Sequence, residues 1–132
     1  MKTIIKSLVI VSIACISFAG FAADNNQTVL KSRKMVELAA ADDWKALADA
    51  AKNCIDKKTN LAEANEWLDK SLTIKTTGYN LLVKGDYYMA TNLPEKALES
   101  YVAAMKLILS ENPNADLKEL QGKITKAKEA KI

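Results

Sequence analysis

The sequence predicts an all-α protein made of antiparallel helical hairpins, on three observations. Beyond residue 22 the only glycines and prolines are Gly78, Gly85, Gly122, Pro94 and Pro113, which leaves long stretches free to be helical. In those stretches apolar residues recur at steps of three and four, the spacing that aligns side chains along one side of a helix, and no segment alternates as a strand does. The chain also matches itself when displaced by 34 residues: Leu47 falls on Leu81, Ala51 on Gly85, Cys54 on Tyr88, Ile55 on Met89, Ala64 on Leu98, Trp67 on Tyr101 and Ile74 on Ile108.

The first element is a leader over residues 1–22. Lys2 and Lys6 precede an apolar run from Leu8 to Ala19, and cleavage after Ala22 puts small residues, Gly20 and Ala22, at both recognition subsites. The run is too short for a bilayer span, which needs about 20 apolar residues. A lipoprotein anchored through Cys15 is the alternative, although Ser12 to Ala14 supply no large aliphatic residue three before the cysteine. Export to the periplasm or beyond follows, with no membrane contact after cleavage. Removing the leader takes two lysines and no acid from 19 basic and 16 acidic residues, leaving 17 against 16. So balanced a chain offers no field to steer nucleic acid. The remaining length suits one compact domain, and its single cysteine, Cys54, excludes an internal disulfide.

Residues 23–42 form an N-terminal segment with a leading helix from Thr28 to Ala40, rich in helix formers but with a diffuse apolar face. Asp42 or Asp43 caps the second helix, which carries Trp44, Leu47, Ala48, Ala51, Cys54 and Ile55 on one side and ends near Lys57. Asn60 with Glu63 three residues on resembles a capping box for the third helix, with Leu61, Ala64, Trp67, Leu68, Ser71 and Leu72 along it. Gly78 closes that hairpin in a left-handed conformation, and Tyr79 to Ala90 form the fourth helix. Pro94 starts the fifth, running to about Ser110, because a first-turn residue needs no NH. Asn112 to Asn114 break it, and a last helix from about Ala115 carries Leu117, Leu120, Ile124 and Ala127 on one stripe.

A 34-residue period of helix, turn and helix, with Leu81, Gly85, Tyr88, Ala97, Tyr101 and Ala104 at these intervals, resembles the tetratricopeptide repeat family. The resemblance covers about 68 residues, a degenerate hairpin over 43–77 and a closer copy over 78–112. It implies a short solenoid of stacked hairpins closed by a solvating helix over 113–132. Leu47, Ala51 and Trp67 take the packing positions of the first copy, and Gly85 and Ala97 permit close helix approach in the second while Tyr88 and Tyr101 fill wider gaps. Lys84 stands where leucine is usual, Pro113 comes four residues late, and Glu63 and Lys70 oppose Ala97 and Ala104.

The resemblance further implies a concave groove lined by Lys45, Ala48, Asp49 and Lys52 and by Tyr79, Leu82, Val83, Asp86 and Met89. It is expected either to receive a peptide or protein, or to be covered by the N-terminal helix or another copy of the chain. The lysine and asparagine spacing that grips a C-terminal carboxylate is absent. An enzyme is not expected. The sequence has no histidine to serve as base or metal ligand, no phosphate loop and no nucleophile elbow, so neither cofactor nor metal is anticipated. Cys54 reads as a buried thiol, Asp42 and Asp43 as a cap, and the lysines of the last helix, interspersed with Glu119 and Glu129, as a solvated face.

Overall fold

The computed structural model describes residues 16–131, of which 16–21 as backbone alone, so the expected leader falls largely outside the described residues. Those residues form six helices and no strand: α1 Ile16–Leu38, α2 Trp44–Asp56, α3 Leu61–Ile74, α4 Gly78–Ala90, α5 Pro94–Glu111 and α6 Lys118–Ala130. The all-α expectation holds. α1 begins well before Thr28, because nothing between Ala23 and Gln27 breaks a helix and the Thr28 hydroxyl donates back to the Asp24 carbonyl at 3.0 Å.

Two helix starts differ from expectation. Asn60 is in the left-handed region, φ 50°, and caps nothing with its side chain; its amide donates to Glu63 Oε2 at 2.6 Å instead. A capping box needs the cap residue in an extended conformation, which that φ denies. The capping box lies at α4, where Thr77 accepts from the Asn80 NH and the Asn80 side chain accepts from the Thr77 NH. Gly78 is then the first residue of α4 and has no positive φ. It is glycine for space, since a methyl group there would collide with Ile108 of α5. Asp43 caps α2 as expected, its Oδ1 accepting from the Ala46 NH at 2.9 Å.

α2 with α3 and α4 with α5 make the two most extensive helix contacts; α1 adds to α2, α6 to α5, and α4 touches both α2 and α3. Both major pairs are antiparallel. The start of α4 meets the end of α5 at Gly78 and Ile108, and its middle meets the middle of α5 where the Tyr101 ring lies on Gly85. In the other pair, the Ser71 hydroxyl near the end of α3 donates to the Trp44 carbonyl at the start of α2, 2.6 Å away.

One buried cluster combines α2 and α3 with Val83 of α4, and Met35 and Val36 of α1 pack onto it. The other combines Ala97, Tyr101 and Ala104 of α5 with Leu120, Ile124 and Ala127 of α6. Every expected packing residue is buried except Leu81 and Tyr88, which are half-buried against the second cluster.

The first helices and turns of the two hairpins match at the displacement found in the sequence, whereas the second helices differ in length, 14 residues in α3 and 18 in α5. α2 and α4 each have 13 residues and begin 34 positions apart, each behind a side-chain cap, Asp43 and Thr77. In the first turn the Thr59 NH donates to the Cys54 carbonyl at 2.9 Å and the Lys58 NH to that of Ile55 at 3.0 Å. In the second, Leu93 donates to Tyr88 at 2.8 Å and Asn92 to Met89 at 3.2 Å. Lys58 and Asn92, equivalent under the displacement, are left-handed at φ 49° and 59°.

Candidate functional site

The face shared by α2 and α4 holds the expected groove residues, and they divide into two groups. Lys45, Asp49 and Tyr79 form one surface cluster. Asp49 accepts from the Lys45 ammonium at 2.7 Å and from the Tyr79 hydroxyl at 2.5 Å, and the ammonium lies 5.4 Å from the centre of the Tyr79 ring. Lys52, one turn on, pairs with Asp56 of its own helix at 2.6 Å. Partial burial, and then the Asp49 carboxylate, push the Tyr79 phenol well above its ordinary pKa, so it stays a protonated donor.

The second group is not open surface. Ala48 and Val83 are fully buried, Val83 inside the first cluster. Asp86 is buried behind α6, where its Oδ1 accepts from the Tyr101 hydroxyl at 2.7 Å and from the Lys123 ammonium at 2.8 Å while Oδ2 has no partner. Burial and this carboxylate raise the Tyr101 pKa strongly, so the phenol remains a donor. Leu82 and Met89 are half-buried against the cluster shared by α5 and α6. Ala48 and Val83 are thus covered within the α2 and α3 cluster and Leu82, Asp86 and Met89 by α5 and α6, whereas the expected cover was the N-terminal helix or another copy of the chain.

Lys84 ties the two hairpins together. Its side chain is only 12 % exposed, and its ammonium reaches Asn65 Oδ1 at 2.7 Å and Asp69 Oδ1 at 2.5 Å on α3 while lying 5.3 Å from the centres of both the Tyr87 and Tyr88 rings. A charge at a leucine position was the visible signal; its partners, 15 and 19 residues earlier, were not. The pairing of Asp86 with Lys123, 37 residues on, left no local mark at all.

The remaining polar features are a buried thiol, a local ion pair and a small cleft. Burial raises the Cys54 thiol above its ordinary pKa, and that thiol faces the Ser32 hydroxyl on α1. Glu63 is held below the usual carboxyl value, first by the Asn60 amide and then by Arg33 of α1, whose Nη2 sits 2.9 Å away. A cleft of about 190 Å³ between α1 and α2 is lined by Thr28, Lys31, Asn53, Asp56 and Lys57. Among the described residues no three potential metal ligands come together, and no helix is long and apolar enough to cross a membrane. Comparisons with protein-family models, curated proteins and solved structures found no match for this chain.

Proposed function

We propose that this chain is an exported helical-repeat module of the tetratricopeptide kind, its hairpins stacked as a short solenoid closed by α6, that binds a peptide or protein partner through the face shared by α2 and α4. The observation that carries this reading is the partial duplication: the side-chain caps and bounds of α2 and α4 and the hydrogen bonds of the turns that follow them recur at one fixed displacement, while α3 and α5 differ in length. Repeats of this geometry present the first helix of each hairpin side by side, as α2 and α4 touch here. The accessible part of the face is Lys45, Asp49, Lys52 and Tyr79, with the exposed edges of Leu82 and Met89. Export rests on the leader-like layout of residues 1–22.

The test is capture of a partner from envelope extract, followed by its identification and direct titration. Reversing Lys45 and Lys52 to glutamate and removing the hydroxyl with Tyr79→Phe should weaken binding at least about tenfold, equivalent to 1.4 kcal/mol, with helicity unchanged. Unaltered binding would remove the site.

A second reading, a self-associating structural protein of the envelope with no peptide ligand, is favoured by Leu30 and Leu38, which are 65 % and 74 % exposed on α1. Under it, light scattering gives an oligomer and no peptide is retained.

A further inference from the structure

α1 packs on the first cluster through Met35 and Val36 and buries no stripe of its own comparable to those of the other helices. Its inner side carries Asn25, Thr28 and Ser32 among Val29, Met35 and Val36; the Ser32 hydroxyl faces only the Cys54 thiol, and Asn25 Oδ1 is buried without a hydrogen-bond partner. The polar cleft lies along the same junction. Besides the packing of Met35 and Val36 and the Asn53 amide on Met35 Sδ, the polar ties of α1 to the rest of the molecule are, among the described residues, two exposed ion pairs, Asp24 with Lys57 at 2.9 Å and Arg33 with Glu63 at 2.9 Å. Unsatisfied buried groups and unfilled space lower the cost of lifting a helix off its seat.

The connection from α1 to α2 is unusual among the turns of this chain. Residues 39–43 read Ala39, Ala40, Ala41, Asp42 and Asp43, with no glycine, no proline and no left-handed residue. By contrast the turns over 57–60 and 91–93 need left-handed Lys58, Asn60 and Asn92, and the segment over 112–117 contains Pro113. Alanine has the highest helix propensity of all residues. The turn itself is held by two main-chain bonds, Asp43 NH to the Ala40 carbonyl at 3.0 Å and Trp44 NH to that of Asp42 at 2.9 Å. Its three alanines therefore favour what the turn and the Asp43 cap interrupt, a single helix running from α1 into α2.

From these features we infer that α1 exchanges between two copies of this chain. Residues 39–43 straighten into helix, and the α1 of each protomer occupies the seat on α2 and α3 of the other. The seat suits that occupant because Lys57 and Glu63 match Asp24 and Arg33 of any copy. The arrangement closes about a two-fold axis and buries in the dimer what the monomer buries within itself. Leu38, the last residue of α1 and the most exposed large apolar side chain among the described residues, lies beside the hinge and gains its counterpart from the partner copy. Neither Tyr79 nor Lys52 takes part, so exchange and partner binding can fail separately.

The test is to concentrate the purified protein, warm it to partial unfolding, cool it, and weigh the species by light scattering after size exclusion. A dimer of unchanged helicity is expected; monomer alone at every concentration overturns exchange. Ala41→Pro separates a hinge from ordinary association. Ala41 occupies the second position of the turn closed by Asp43 and Ala40, where proline fits, and its NH makes no hydrogen bond in the turn, but proline cannot lie within a continuous helix. The variant should keep its monomer fold by circular dichroism and lose the dimer; dimerisation equal to wild type overturns the proposal. Independently, chains carrying Arg33→Glu and chains carrying Glu63→Arg are mixed, since only reciprocal exchange restores both ion pairs. Native mass spectrometry should show the mixed dimer several-fold above the statistical share, and a statistical mixture overturns the proposal.

Discussion

Gly85 and Gly122 are both glycines inside helices, and the structure gives them opposite meanings. A side chain at Gly85 would run into the ring of Tyr101, whereas nothing lies near Gly122. Gly85→Ala should therefore cost about 1–3 kcal/mol through overpacking. Gly122→Ala should stabilise α6 by up to about 1 kcal/mol through propensity alone. Urea titration of both variants checks the contrast. The need for a small residue at position 85 was legible in the spacing; the identity of what presses on it was not. Ala97 was expected opposite, but Tyr101 lies directly on Gly85 instead of filling a gap beside it. Glu63 supplies a pH test. Its folded pKa is below the usual carboxyl value, so its stabilising contribution is present above that usual value and disappears as pH falls through the lowered one. The difference in urea midpoint between wild type and Glu63→Gln should be largest near neutrality and shrink as pH falls below the ordinary carboxyl value and through the lowered one.

Among the elements, helix existence was readable from periodicity because five of the six helices bury a stripe that repeats every three or four residues. Starts were harder. The capping box and the role of Gly78 were misplaced because both depend on backbone angles that residue type alone does not set: Asn60 tolerates the left-handed region, and a buried glycine serves close approach as readily as chain reversal. α3 shows the same limit on the sequence repeat. Glu63 and Lys70 stand at positions equivalent to Ala97 and Ala104, yet α3 packs through Ala64 and Ser71, one residue along. Trp67 keeps its place, buried within the first cluster. Trp67→Ala should cost about 3–5 kcal/mol, measured by thermal or urea unfolding. In a domain stable by about 5–15 kcal/mol this brings α2 and α3 close to unfolding; a loss below about 1 kcal/mol would contradict a buried position.

For the molecule as a whole, the candidate face was only partly legible because which helix covers which surface is a long-range outcome. Lys45, Asp49 and Tyr79 are in contact at the surface, but Val83 and Asp86 are withdrawn into the interior, the first by α2 and α3 and the second by α5 and α6. α4 thereby belongs to both halves, with Val83 in one cluster and Leu81, Leu82, Tyr88 and Met89 against the other. Unfolding should accordingly be a single transition, with tryptophan fluorescence, from Trp44 and Trp67 in the first half, coinciding with far-ultraviolet circular dichroism. Separated transitions would show that the halves melt independently.

Lys84 also makes the molecule its own chemical reporter. An ammonium on a side chain only 12 % exposed, held by two α3 side chains and flanked by two rings, is shielded from amine-acylating reagents that reach the more exposed Lys45, Lys57 and Lys131. In a peptide digest after brief labelling, Lys84 should stay unmodified for as long as the α3–α4 seam is shut. The moment at which it takes the label dates the parting of the two hairpins.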